Sequence, residues 1–335
     1  MADPMRIAVL IPDARYRSML TPEADAALDG LGAVERGNGT TRDLVEEAPR
    51  LLPHAGALFT GWGAPPLTEA LLDEAADLRI ILHCAGSVRS IIPKSVFDRG
   101  ITVCHAAAII ADAVAEFCLL QELLLLRGVH TMDVRLKAGV PWREAGENSS
   151  RLLQGRIVGI VGSGYVAQRH IRLLHAFDAK IRVSDPYMDS EKAARLGVEP
   201  VDLDNLFAES EVICVHAPTT PETRRMITAE HLASIRPGAV LVQTSRSWVM
   251  DQEALLRELR TGRFLASLDV FDEEPQPPDS PFFKLDNVVV TPHRAGHTID
   301  SQRRQGAAMV EELGRYLRGE PLHYRIEPSS YDQLA

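Results

Sequence analysis

Apolar residues recur along the chain in short runs separated by amphipathic stretches. The first run, Arg6–Ile11, reads as a strand, and others follow at Ala57–Thr60, Arg79–His83 and Ile101–Cys104. Helical spacing lies between them, as at Leu67–Ala76. Short apolar runs alternating with helices imply a parallel sheet covered on both faces. A second series is sharper. Arg156–Val161 is a continuous apolar strand ending in glycines, and a helix is predicted over Tyr165–Phe177. Strands are predicted at Lys180–Ser184, Val212–His216, Ala239–Gln243, Ala266–Val270 and Asn287–Thr291, with helices at Ala229–Ile235 and Asp251–Thr261. Six parallel strands with intervening helices make a doubly wound sheet.

Two further helices frame that second sheet. Asp112–Arg127 carries Val114, Phe117, Cys118, Leu119, Leu120 and Leu123 to Leu126, apolar nearly all round, so burial on more than one side is expected. Ser301–Leu317 is amphipathic, with Met309, Val310, Leu313, Tyr316 and Leu317 on one face. It follows the completed second sheet and is expected to pack back on the first domain. The expected architecture is α/β, with two doubly wound domains. Residues 1–107 and 299–335 form a flavodoxin-like substrate domain, and 108–298 form a Rossmann nucleotide-binding domain within it.

Length and charge narrow the function. A chain of 335 residues is comfortable for two domains. A net charge of −10 argues against a sequence-independent grip on nucleic acid. A small anion is still open to capture by local arginines. Cys84, Cys104, Cys118 and Cys214 each sit in an apolar run and none forms a CxxC pair, so they read as reduced core thiols of a cytoplasmic protein, with no metal site. The opening MADPMRIAVLIPD lacks the long apolar region and cleavage site of a signal peptide. Phe117–Leu126 is too short to span a bilayer and is interrupted by Gln121 and Glu122.

The first candidate site follows the strand ending at Val161. Gly162, Ser163, Gly164, Tyr165, Val166 and Ala167 pass from strand into helix. Gly162 permits a tight turn, Gly164 lets the backbone approach a pyrophosphate, and the small Ala167 allows helix–strand contact. An anion on the helix N-terminus meets free N–H groups and the helix dipole. Asp185 closes the next strand 23 residues after Gly162, near the ~20 expected of a ribose-binding carboxylate, and Pro186 follows it. The expected cofactor is NAD, because a carboxylate there accepts from a ribose hydroxyl and repels a 2′-phosphate.

The second candidate site gathers where later strands end. Arg246 closes Gln243-Thr244-Ser245-Arg246, Glu274 lies in Asp269-Val270-Phe271-Asp272-Glu273-Glu274-Pro275, and His293 follows Thr291-Pro292. Ligands of open α/β sheets bind beyond the carboxyl ends of the strands, so these three are expected to converge. Alcohol oxidation needs a base of near-neutral pKa, which imidazole supplies. A carboxylate beside it fixes the tautomer, and a guanidinium binds a substrate carboxylate through two parallel hydrogen bonds.

These motifs together resemble the D-isomer-specific 2-hydroxyacid dehydrogenases. The resemblance rests on GSGYVA with Asp185, HAPTTPET from His216, QTSR ending at Arg246, LDVFDEEP from Leu268 and TPHRAG from Thr291, and covers most of residues 80–320. It implies that Arg246, Glu274 and His293 are the catalytic trio and that Asp269 contacts the nicotinamide amide. It further implies that His216, Ala217, Pro218, Thr223, Thr244, Ser245 and Ala295 line the cofactor, and that the chain pairs as a homodimer through the nucleotide domain. The substrate would be a small 2-hydroxy or 2-keto acid, held by backbone N–H groups of Gly86, Ser87 and Val88 together with Arg246 and His293. The sequence departs from the family pattern at Ala167, at Gln243 in place of Asn, and in the loop Ala85-Gly86-Ser87-Val88-Arg89. Arg89 is unusual there and, if it faces the pocket, favours a substrate with a second anionic group. Alternatives on the same scaffold are a phosphonate-type dehydrogenase and a non-catalytic, NAD(H)-sensing protein resembling a corepressor.

Overall fold

A computed structural model describes residues 4–147 and 150–334. The chain divides into two compact units, Met1–Ile110 with His297–Ala335, and Ala111–Gly296. The first unit holds strands β1 (Arg6–Leu10), β2 (Ala33–Arg36), β3 (Ala57–Thr60), β4 (Ile80–His83) and β5 (Thr102–His105). Every pairing is parallel, in the order β2-β1-β3-β4-β5. This is the flavodoxin-like winding.

Alternation along each strand supplies two cores. Ile7 and Val9 of β1 face a cluster with Met19, Leu28, Met309 and Leu313, while Ala8 and Leu10 face another with Leu44, Leu52 and Val96. Successive strand side chains point to opposite faces, so one apolar run serves both. The helix Ile299–Arg318 packs on β4, β5 and the helices Asp13–Met19 and Pro22–Asp29. Strand β2 was not expected. It is an edge strand carrying Glu35 and Arg36, and with one neighbour it needs no continuous apolar run.

The second unit holds β6 (Ile157–Val161), β7 (Lys180–Ser184), β8 (Glu199–Pro200), β9 (Val212–Val215), β10 (Val240–Gln243), β11 (Leu265–Leu268) and β12 (Val288–Val290). Their order is β12-β11-β10-β9-β6-β7-β8, again wholly parallel. Seven strands replace the six expected. The extra one, β8, is a two-residue edge with Pro200, where a missing N–H is tolerated. From β6 the chain winds outward to β8 and then returns to β9 on the other side of β6. That reversal opens a crevice at the carboxyl ends of β6 and β9. The register pairs Val161 with Ser184 and Val215, and Gln243 with Val215 and Leu268. The loops after these strands therefore emerge along one edge.

The helix expected at Asp112–Arg127 runs Ala107–Arg127 and corrects the reading of its faces. Gln121 and Glu122 are buried, while Leu120 is 56% exposed. Among the described residues no helix is long and apolar enough to cross a membrane.

Candidate active site

The turn after β6 has the shape an anion needs. Gly162 has φ +94°, in the left-handed region, and a Cβ there would meet the backbone of Ala217 at 3.1 Å. Over Gly164 a Cβ would meet nothing within 4 Å, so the backbone is open to a ligand at that point. Gly164 is the N-cap of the helix Tyr165–His175 and no side chain caps it, which leaves its first N–H groups available. Ala167 is fully buried against the sheet. Asp185 stands at the end of β7. Its Oδ2 accepts from Ser163 Oγ at 2.7 Å and its Oδ1 from the Tyr187 N–H at 2.7 Å. These residues fit a dinucleotide.

Further along the edge the loops are cross-braced. The His216 N–H donates to the Val161 carbonyl at 2.8 Å, and Thr223 Oγ1 donates to the Pro218 carbonyl at 2.5 Å. Thr244 Oγ1 sits 3.2 Å from Cys118 Sγ. After β10, Gln243 Oε1 accepts from Ser245 Oγ at 3.1 Å, and Gln243 Nε2 donates to the Arg246 carbonyl at 3.0 Å. One side chain thus fixes the loop that presents Arg246. Burial lowers the Arg246 pKa from the usual guanidinium range, and the Glu274 carboxylate opposes that shift.

His293 and Glu274 meet as expected. His293 Nδ1 lies 2.8 Å from Glu274 Oε2, and the other oxygen of Glu274 accepts from the Phe271 N–H at 2.8 Å. The carboxylate is therefore held at both ends, and Nδ1–H donation leaves Nε2 as the working nitrogen. His293 has φ +52°, a strained position for a non-glycine residue. Asp269 holds it there. Fully buried, Asp269 accepts from Thr291 Oγ1 at 2.5 Å, the Arg294 N–H at 2.8 Å and the Ala295 N–H at 2.9 Å. Asp269 thus anchors the loop that carries His293. An open pocket of ≈ 610 Å³ borders the pair, lined in part by Phe271, Pro275, Phe283 and Pro292.

In the first unit, the loop after β4 is ordered by two buried histidines that sequence reading missed. His83 Nε2 donates to the Ser87 carbonyl at 3.0 Å, while its Nδ1 accepts from Thr60 Oγ1 at 2.9 Å. His105 Nδ1 lies 3.3 Å from the Gly86 carbonyl, and the Ala85 carbonyl accepts from the Ala106 N–H at 3.0 Å. Three successive carbonyls are thus engaged by neighbouring groups. In trans peptides the N–H opposes the C=O, so the N–H groups of Gly86, Ser87 and Val88 are directed away from those partners. Burial, with His105 nearby, pulls the His83 pKa down to about 3, and burial lowers His105 as well. Both rings are neutral props. Val88 puts its side chain in the core. Arg89 is exposed and donates to the Leu334 carbonyl at 3.4 Å, so its placement lends no support to a charge aimed at substrate.

Comparison with known proteins decides the family. Residues 119–295 match the family described as "D-isomer specific 2-hydroxyacid dehydrogenase, NAD binding domain". A hydroxypyruvate reductase of Thermotoga maritima is 33% identical over 310 residues, covering 91% of this chain and 99% of that protein. The chain belongs to the D-isomer specific 2-hydroxyacid dehydrogenase family. A D-3-phosphoglycerate dehydrogenase of Methanocaldococcus jannaschii is 32% identical over 94% of the chain, which spans only 58% of that longer relative. A phosphoglycerate oxidoreductase from Rhizobium etli superposes with TM-score 0.81 at 30% identity, covering 98% of this chain and 99% of that one. Within this family member, Lys192 is the residue whose reach the sequence concealed. Asp189 caps the helix Ser190–Leu196 through the Lys192 N–H at 2.7 Å, and Lys192 Nζ comes back to Ser163 Oγ at 2.6 Å. A lysine therefore stands two hydrogen bonds from Asp185, with Ser163 between them.

Proposed function

We propose that this chain is an NAD-linked dehydrogenase that moves a hydride between the nicotinamide and C2 of a small 2-hydroxy or 2-keto acid. The observation that carries this reading is the Glu274–His293 pair on the same sheet edge as the open glycine turn. In reduction, bound NADH supplies the hydride. His293 Nε2–H gives its proton to the substrate carbonyl oxygen, and in the reverse direction neutral Nε2 takes the hydroxyl proton. Glu274 holds the ring through Nδ1. The Arg246 guanidinium binds the carboxylate and polarises the neighbouring carbonyl. In the first unit, the loop of Gly86, Ser87 and Val88 presents backbone N–H groups of the kind that bind a carboxylate. The cofactor is held by Gly162 to Val166, Asp185 with Pro186, the loop of His216, Ala217, Pro218 and Thr223, and Thr244, Ser245 and Ala295.

The test is a panel of 2-keto acids with NADH, followed by nicotinamide absorbance. Hydroxypyruvate, 3-phosphohydroxypyruvate, glyoxylate and pyruvate come first, because the relatives are named for reactions of this class. Turnover of at least one is expected. Tight NADH binding with no oxidation by any acid would overturn the enzyme reading in favour of a sensor.

We also assign a homodimer formed through the second unit, in the cytoplasm. Leu120, Val129, Val134, Leu136 and Leu152 are exposed there, and Trp142 is 81% exposed. A set of large apolar side chains open to water is characteristic of an association surface. The four cysteines are free and buried, as suits a reducing compartment. Light scattering is expected to give twice the chain mass, and a concentration-independent monomer would remove the dimer.

A further inference from the structure

Behind the glycine turn the second unit buries a polar cluster that the hydride chemistry does not use. Glu122 comes from the helix Ala107–Arg127, His170 from the helix Tyr165–His175, and Cys214 from β9. All three are fully buried. Glu122 Oε1 lies 2.8 Å from Cys214 Sγ and 3.1 Å from His170 Nε2, and one donor atom of each lies within 4.8 Å of the others. Despite this crowding, His170 Nε2 is out of line for a hydrogen bond, and Glu122 Oε2 has none. Buried polar atoms without partners are rare, and each calls for a physical account. The far side of the imidazole is occupied, with His170 Nδ1 lying 3.0 Å from His216 Nε2. A metal-bound histidine typically uses its second nitrogen in this way, which fixes the tautomer and the ring orientation.

We propose that Glu122, His170 and Cys214 form a closed, structural site for one divalent cation of the zinc type. The donor set selects the metal. A thiolate and an imidazole suit zinc or cobalt, whereas magnesium and calcium take oxygen ligands. Glu122 Oε2 completes four-coordination beside Oε1, His170 Nε2 and Cys214 Sγ. Ligand bonds of about 2.0 to 2.3 Å separate neighbouring donors by more than the present contacts, so the carboxylate draws back from the thiol on loading. Charge also balances. One thiolate and one carboxylate neutralise a dication, and the thiol proton leaves to bulk water. Without the ion, burial and the Glu122 carboxylate push the Cys214 thiol well above its ordinary pKa. The ion would tie β9 and two helices together beneath the turn, with no open position for substrate.

The experiment is metal analysis of the full chain expressed in cobalt-supplemented and zinc-supplemented medium, after gel filtration. About one equivalent per chain is expected, with a thiolate-to-cobalt charge-transfer band in the near ultraviolet and a thermal midpoint that falls on chelation. Cys214→Ser should abolish the band and lower cobalt content at least about tenfold, while Cys84→Ser, in the other unit, leaves both intact. Wild-type protein that carries no stoichiometric metal from either medium overturns the site, whatever the variants do. So does a Cys214→Ser chain that retains cobalt and the band.

Discussion

The carboxyl edges of the two sheets order their loops by opposite electrostatic means. After β10, β11 and β12 the second unit uses charge. Asp269 clamps the 291–295 loop, Glu274 holds His293, and half-buried Arg246 feels the charge of Glu274. After β4 the first unit uses neutral imidazoles, His83 and His105, to hold the carbonyls of Gly86 and Ser87. The difference suits the roles proposed for them: a proton-transfer pair must be able to carry charge, whereas a loop proposed to offer N–H groups to a carboxylate needs only fixed peptide dipoles.

The largest break in that comparison comes from the charged side. His293→Ala is expected to lower kcat by roughly 10²–10⁴ while NADH still binds, as measured by turnover and by nicotinamide fluorescence. Glu274→Gln keeps a hydrogen bond but not the charge, so a smaller loss is expected. Near-normal turnover in a folded His293→Ala chain would remove the acid–base assignment.

The neutral side predicts a pH signature. The folded pKa of His83 lies at about 3, below the ordinary 6.5, so the folded chain favours its uncharged ring. At pH above 6.5 both folded and unfolded states are neutral and the full stability is present. As pH falls from 6.5 towards 3, the unfolded chain takes a proton that the folded one refuses. Each unit of pH then costs about 1.4 kcal/mol for this residue. Denaturant unfolding of the wild type is expected to weaken across that window. A His83→Gln chain, less stable at pH 7, should lose less over the same interval. Parallel pH profiles for the two chains would show that His83 does not stay neutral in the fold.

Much of the charged edge was legible in the sequence, because its residues follow apolar strands in short motifs whose spacing is local. The open turn at Gly164, the approach of Glu274 to His293 and the parallel sheets covered on both faces were all expected on that basis. The neutral props were not. His83 ends an apolar run and His105 follows one, and nothing in the sequence says that two rings separated by a helix turn onto the same loop. Glu122 read as an interruption of an apolar stretch because its partners, Cys214 and His170, arrive from distant elements. Strands β2 and β8 escaped because edge strands need few apolar residues. What sequence pattern carries is period and neighbour order, while pairwise burial of polar groups is decided by tertiary contact.

The smallest expected effect sharpens the charge argument at its outer end. Asp185 alone would disfavour a 2′-phosphate strongly, since two unit charges ~4 Å apart at an effective dielectric near 20 repel by roughly 4 kcal/mol. Lys192 moderates that. Its ammonium donates to Ser163 Oγ, which in turn donates to Asp185, so a positive charge stands on the same hydrogen-bonded chain. The group is part-exposed, and a solvated pair of this kind is worth about 1 kcal/mol or less. NAD is therefore still expected to win, by at least about tenfold in kcat/KM. Lys192→Gln should widen the gap by about two- to fivefold, chiefly through weaker NADPH binding, and Asp185→Ala should narrow it. Parallel titrations of NADH and NADPH on the three chains measure both changes. If Lys192→Gln leaves the ratio of the two dissociation constants unaltered, the lysine merely ties down the loop and the discrimination belongs to Asp185 alone.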